Sequence, residues 1–411
     1  SIPEYLGIRY QSPWIRILVS IFSLSLFFYL AGQLVSGIVM FEIMLGVPKM
    51  AALIITSVVL LIYVVLGGAH ADILTDGVQG FIMVGVGVLV AVLFCLGYGI
   101  EGGFDGMISA LGSQDENLVG WLNVTDVLYH SWWAVFAVFL AHVPLGMLPH
   151  IGNKLWALKE PTQRMQFIRL AFVFALILAM LGFGGIMARV ILGEGIDSNQ
   201  ALALLFIDLF PSWFAALLGV GILAAVMSTA DGLVVSSSQI VANDLYRLSF
   251  VPRYRKDLSE EEIERRSLNI SRISTVVIMI LCTLLAWQTL DMNVTILVWI
   301  GVGCMMAAFA GPLILGSVWS GVTKAGAFAG LLTGGGVYII TYLGVINPEW
   351  FGPGSLKDIA LWLQRESPNP YSCAAMGEIA SIAVTVVVSK LTSPYPKEHI
   401  DALFGKSVPT D

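Results

Sequence analysis

Long apolar runs alternate with short polar connections along the whole chain. Ten runs are long enough to cross a bilayer, near 14–38, 50–67, 76–99, 128–149, 166–192, 212–242, 269–288, 294–318, 325–344 and 370–390. A spanning helix needs about 20 residues at 1.5 Å rise. Strands of a membrane barrel alternate over about ten residues, so these runs predict helices. Several exceed 25 residues, which predicts tilt or kinks. Two connections carry patterns of their own. Segment 243–267, with Arg253-Tyr254-Arg255-Lys256 followed by Glu260-Glu261-Glu262, predicts a loop holding a short solvated helix. Segment 193–211, with Leu202, Leu204, Leu205, Ile207 and Leu209-Phe210, predicts a helix lying on the membrane surface.

Composition sharpens the class. Of 411 residues, 57% are apolar and 12% charged, against roughly 25% charged in soluble proteins. This excludes a soluble or disordered chain, and a net charge of −7 without a basic run excludes a nucleic-acid binder. The four cysteines, Cys95, Cys282, Cys304 and Cys373, lie in or beside apolar runs with no CxxC spacing, and read as membrane-core residues. With the N-terminus placed inside, 17 of the 21 Lys and Arg fall in inside segments and three in outside loops, Arg189 lying at a helix end. That bias predicts a multi-pass protein of the plasma membrane, the inner membrane in a bacterium, with both ends of this chain cytoplasmic.

Polar groups inside the runs are the functional candidates, because burying them in lipid costs energy. Ala225, Ser228 and Thr229 are spaced i, i+3, i+4 and share a helix face. Two hydroxyls and an under-bonded carbonyl are hard oxygen ligands of the kind small alkali cations need; the alternative is that the hydroxyls bond back to their own helix. Asp231 lies three residues past Ser228, near the same face. Asp76, in Thr75-Asp76-Gly77-Val78-Gln79, is either a second candidate ligand or a plain first-turn acid. The segment Ala141-His142-Val143-Pro144-Leu145-Gly146-Met147-Leu148-Pro149-His150 holds two prolines and a glycine, which predicts a broken helix lining a cavity, or a simple kink. Its residues Ala141, His142, Leu145, Gly146 and Pro149, with Gln33 of the stripe Tyr29, Gln33 and Ser36, are the candidate solute path. The small-residue stripe from Gly326 to Gly336 predicts close helix packing. No nucleophile–base pair or metal-ligand set marks an enzyme.

Taken together these residues resemble the sodium/solute symporter family, which includes bacterial proline and pantothenate carriers, sialic-acid carriers and sodium/glucose cotransporters. The resemblance rests on Ile2-Pro3-Glu4-Tyr5-Leu6 with Arg9-Tyr10, Gly67-Gly68 with Thr75-Asp76-Gly77-Val78-Gln79-Gly80, Leu148-Pro149-His150, and Ala224-Ala225-Val226-Met227-Ser228-Thr229. Asn243-Asp244-Leu245-Tyr246, Ala308-Phe309-Ala310-Gly311-Pro312 and Gly326-Ala327-Phe328-Ala329-Gly330 follow in the family's order. It implies an all-α integral membrane fold of the leucine-transporter type, with two inverted repeats and solute and ion held at broken helices near the midplane. Under it, residues 1–411 form one transport domain. Residues 14–99 complete the first repeat, 128–318 form the second and 325–390 are two peripheral helices, while the leading helix and first two core helices lie outside this sequence.

The resemblance implies sodium as coupling ion, held by the Ala225, Ser228 and Thr229 positions together with carbonyls of the first broken helix. A second sodium site, present in some members, would use Asp76 and hydroxyls one turn past the Ser-Thr pair, where this chain has Asp231 and Gly232. In proline carriers aromatic residues stand where this chain has Leu145 and Ala141, which disfavours proline, while the Leu148-Pro149-His150 context and the C-terminal region with Pro370, Lys390-Leu391-Thr392 and Glu398-His399 resemble the pantothenate-like and monocarboxylate-like branches. The expected activity is sodium-coupled symport of a small organic carboxylate across the lipid bilayer. One charge crossing 100 mV contributes roughly 2.3 kcal/mol and a tenfold sodium gradient about 1.4 kcal/mol, so a single ion supports roughly 500-fold accumulation. Two rivals stay open at this level: proton coupling through Asp231, Asp76 or His142, and a solute-binding sensor without net transport. Solute identity, ion number and oligomeric state are open as well.

Overall fold

The computed structural model describes residues 1–156, 158 and 160–404, with backbone alone at 66–74, 156 and 161. A short helix α1 (Ile2–Arg9) leads into α2 (Pro13–Ser23) and α3 (Leu26–Leu45), which together form one span. Helix α4 (Lys49–Leu96) and the outer α5 (Gly103–Gln114) follow. Helices α6 (Trp132–His142) and α7 (Pro149–Trp156) flank the predicted break, and α8 (Pro161–Ala179) with α9 (Gly182–Leu192) make the next span. Helix α10 (Ala201–Leu209) precedes the long α11 (Ser212–Gln239), which continues as π-helix over Ile240–Phe250 and ends in the turn α12 (Val251–Tyr254). Then come α13 (Glu260–Gln288), α14 (Val294–Phe309) with its π-helical extension Ala310–Leu315 and the turn α15 (Gly316–Val318), and α16 (Lys324–Tyr342). Helices α17 (Ser355–Glu366), α18 (Pro370–Leu391) and α19 (Lys397–Phe404) close the chain.

Among the described residues eight helices are long and apolar enough to cross a membrane. The bent pair around Leu148 makes a ninth, and the apolar stretch Lys49–Val65 accounts for the remaining predicted run. Two expectations need correction. Residues 68–76 were expected to form a connection between spans, yet the backbone is helical throughout Lys49–Leu96. A straight helix of that length would measure about 72 Å, more than twice the hydrocarbon thickness. It is not straight: the Tyr63 hydroxyl hydrogen-bonds the Thr75 hydroxyl, although twelve residues of straight helix would hold them about 18 Å apart. The axis therefore bends between the two apolar halves. The second correction concerns 243–267. No separate solvated helix forms there; the span from Ser212 stays helical to Tyr254, and α13 begins at Glu260 behind a Ser259–Glu262 capping box.

The core forms where α3, α14, α16 and α18 meet. Leu30, Leu34, Ile38, Met305, Met306 and Phe309 are all essentially buried. The small-residue stripe of α16 sets how close these helices come. A methyl carbon on Gly326, Gly330 or Gly334 would stand 2.0 Å from Ser389 Oγ, Thr385 Oγ1 and the Ala307 carbonyl respectively. Glycine every fourth residue thus gives α16 a flat face for α14 and α18. At one end of the bundle, fully buried Arg9 ties α15 to the chain after it through the carbonyls of Gly316, Ser320 and Val322. The Tyr395 hydroxyl and His399, at the far end of the chain, bond the carbonyls of Tyr10 and Arg9 in turn.

Candidate ion and solute site

The site is built on the middle of α11. Helical spacing puts the Ala225 carbonyl and the Thr229 hydroxyl on one turn, and Thr229 Oγ1 donates to that carbonyl at 3.1 Å. This is the back-bonded arrangement that the spacing alone left open. Ser228 behaves differently. Its hydroxyl leaves its own helix and donates to Asp76 Oδ1 at 2.6 Å, joining α11 to α4 across 152 positions of sequence. The other Asp76 oxygen, Oδ2, accepts from the Lys154 ammonium on α7. Asp76 and Lys154 are 18% and 25% exposed, so water is partly but not wholly excluded from the pair. The Tyr29 ring of α3 meets His150 of α7 edge-on at 6.0 Å.

Four elements therefore converge: α3 through Tyr29, α4 through Asp76, α7 through Lys154 and His150, and α11 through Ala225, Ser228 and Thr229. Farther along, Asn153 of α7 donates to Gln239 at 3.0 Å, a second tie between α7 and α11. Asp231 lies fully buried one turn past Ser228, with Oδ1 accepting from the Gly232 amide at 2.8 Å. Among the described residues no group of three or more His, Cys, Asp and Glu is placed to hold a metal. The donor set is instead one carbonyl, two hydroxyls and one carboxylate, hard oxygens of the kind that hold an alkali cation at the midplane of such bundles.

The break is real. Helix α6 ends at His142, a single 3-10 turn covers Leu145–Met147, and α7 restarts at Pro149 with its axis bent by 46°. Ala141, Leu148 and Pro149 are buried and Leu145 is half-buried, whereas His142 and Gly146 are exposed. Gly146 and Met147 line a cavity of about 230 Å³ with Tyr5 of α1, Leu155 of α7 and Leu313 of the π-helical turn. Irregular backbone facing a cavity is what membrane depth tolerates. His142 stands apart from the acids. Its Nδ1 pairs with the Val138 carbonyl at 2.6 Å, and its ring stacks on Tyr371 and lies 4.7 Å from Trp299. Gln33 lies half-buried four residues past Tyr29, on the same face of α3.

Lys154 and His150 were not among the residues singled out from sequence. Lys154 figured there only as one more inside cation, and His150 only as the last residue of a motif.

Comparison with known proteins agrees with this architecture. The family model of the sodium:solute symporter family matches residues 1–334. The sodium/pantothenate symporter of Escherichia coli (strain K12) is 26% identical over 363 residues, covering 86% of this chain and 70% of the relative. The high-affinity proline transporter of Bacillus subtilis (strain 168) is 28% identical over 356 residues, covering 83% and 70%. A solved structure of a Na+-coupled sialic acid symporter, substrate-bound and outward-open, superposes with a TM-score of 0.68 at 18% identity, covering 97% of this chain and 78% of that one. That likeness shows the fold: an all-helical bundle of the leucine-transporter type. With the greater part of its length matched, this chain belongs to the sodium:solute symporter family, a membrane transporter and not an enzyme, with sodium as its coupling ion.

Proposed function

We propose that this chain, together with a helix matching the family's first broken helix, carries a small organic carboxylate inward with sodium, and that Ala225, Ser228, Thr229 and Asp76 supply sodium ligands. The observation that carries the reading is the Ser228–Asp76 contact. A serine that only satisfied itself would bond back along α11, as Thr229 does; Ser228 instead meets a carboxylate from α4. Sodium entering here would draw on the Ala225 carbonyl, the Ser228 and Thr229 hydroxyls and the Asp76 carboxylate. Further oxygens would come from a helix matching the family's first broken helix.

Lys154 ties this cluster to the broken segment. It lies five residues past Pro149 on α7 and shares Asp76 with Ser228. A cation arriving at Asp76 competes with the ammonium for the same oxygens. Displacing Lys154 loosens α7 at the joint where α6 and α7 bend, beside the proposed solute path of Ala141, His142, Leu145, Gly146, Pro149 and Gln33. Ion and solute affinity are then coupled, and the coupling is reciprocal. Asp231 lies one turn along, as a second ligand or a proton carrier. The charge bias supports an orientation with both ends of the chain cytoplasmic.

The carboxylate class is supported by the relatives: pantothenate, proline and sialic acid all carry a carboxylate. Leu145 and Ala141, in place of aromatic residues, disfavour proline, and the Leu148-Pro149-His150 context favours a pantothenate-like or monocarboxylate-like solute.

The test is uptake of a panel of radiolabelled carboxylates into proteoliposomes at fixed pH, with sodium or choline outside. Sodium-dependent accumulation of a carboxylate, and none of its methyl ester, is expected. Accumulation driven equally by a pH gradient without sodium would instead favour proton coupling through Asp76 or Asp231.

A further inference from the structure

A cleft lies away from the transport site, where two spans end. It measures about 670 Å³ and opens between Trp14 and Arg16 at the start of the Pro13–Leu45 span and Phe250, Arg253, Tyr254 and Lys256 at the end of the Ser212–Tyr254 span. Three cations line it and no carboxylate does. Arg16 is anchored, with Nε donating to Ser249 Oγ at 3.1 Å and Nη2 to the Leu248 carbonyl. The Arg253 guanidinium lies 5.1 Å from the centre of the Trp14 ring and 5.7 Å from that of Tyr254.

Asp244 and Glu4 act on Arg16 from a distance, while the acids nearer Arg253 and Lys256 have partners of their own. Asp257 pairs with Arg255, Glu260 with Arg247, and Asp244 accepts from the Ser1 hydroxyl. No ion pair holds Arg253 or Lys256 among the described residues. Both are exposed, as are Trp14, Phe250 and Tyr254 at 55%, 44% and 62%. Amphipathic aromatic rings beside unpaired cations, at the level where apolar spans stop, match the headgroup layer of a bilayer.

We propose that this cleft binds an anionic phospholipid of the cytoplasmic leaflet. Its phosphate would sit among Arg16, Arg253 and Lys256, and its acyl chains would run along the apolar flank of Trp14, Ile17 and Phe250. The site neither needs nor alters the assigned ion ligands. Its cytoplasmic placement rests on the proposed orientation, but its position at the ends of two spans does not.

The purified full chain in detergent is titrated with phosphatidylglycerol, phosphatidylcholine or inorganic phosphate, following the thermal midpoint and the lipid retained in native mass spectra. Phosphatidylglycerol should raise the midpoint and remain bound; phosphatidylcholine and inorganic phosphate should do neither. The Arg253→Gln/Lys256→Gln variant, with an unchanged midpoint in phosphatidylcholine, should bind phosphatidylglycerol about 30-fold more weakly, the effect of two cations near an anionic headgroup. The Arg265→Gln/Arg266→Gln variant, which removes equal charge from α13 outside the cleft, should bind like the wild type. Equal loss in both variants, unchanged binding in the first, or a full effect from inorganic phosphate would overturn the proposal.

Discussion

Ser228 is the residue on which the ion-site reading turns, and Ser228→Ala perturbs it with the least disturbance of packing. The substitution removes one oxygen and adds no bulk to a helix position that is only half-buried. It takes away a prospective ligand and also the 2.6 Å bond to Asp76. A hydrogen bond to a charged group contributes about 1.5–3 kcal/mol, which corresponds to roughly 10- to 150-fold in affinity. Asp76 keeps Lys154 after the change, so the loss should fall toward the lower half of that range. The assay is solute uptake against sodium concentration at two solute concentrations. Sodium half-saturation should rise at least tenfold in Ser228→Ala. Solute half-saturation at saturating sodium should change little, because the hydroxyl faces Asp76 and not the break. At low sodium, solute affinity should fall along with sodium affinity. A double-mutant cycle with Asp76→Asn makes the argument stricter. If both residues act on one ion, the combined loss should fall short of the sum of the single losses by about 0.5–3 kcal/mol. Unchanged sodium half-saturation in both Ser228→Ala and Thr229→Ala would remove the ion from this helix; strict additivity with Asp76→Asn would separate the two residues' roles.

Lys154→Gln should lower the sodium half-saturation several-fold if the ammonium competes with sodium for Asp76; an increase in the same uptake assay would make Lys154 a support for the carboxylate instead. Asp231→Asn should lower the Hill coefficient for sodium if Asp231 is a second ligand, and flatten the pH profile of uptake if it carries a proton. His142→Phe keeps the stacking on Tyr371 and Trp299, so uptake should retain its wild-type pH profile; a flattened profile would bring His142 back as a proton carrier. Gly330→Ala puts a methyl 2.0 Å from Thr385 Oγ1 and should cost about 1–3 kcal/mol, read as a lower thermal midpoint in detergent, whereas Gly336→Ala, with open space around it, should be close to neutral.

The spans were legible because lipid imposes one requirement over a long stretch. Twenty apolar residues in a row leave the backbone no way to satisfy itself except by helix, so the ten runs reappear as helical segments. The alignment of Ala225 with Thr229 was legible because helical period is local. The partner of Ser228 was not, since nothing in α11 says that α4 will present Asp76 beside it. That depends on the bend within Lys49–Leu96, where the gap between the runs 50–67 and 76–99 predicts a connection and the backbone is helical instead. Ala69, Ala71 and Leu74 between them are good helix formers, and the backbone stayed helical. Segment 243–267 departs from its pattern for a similar reason. Charge and tyrosine there look like a solvated connection, but no Gly or Pro lies between Gln239 and Val251, and Pro252 falls in the first turn of α12, where it is tolerated. Lys154 shows the deeper limit. As one cation among those of 150–170 it carries only topological information; its chemical role comes from α7 restarting at Pro149 at an angle that aims it at Asp76. A broken helix can be found from its prolines and glycine, while the residue that the break redirects is visible only once the bundle has closed around it.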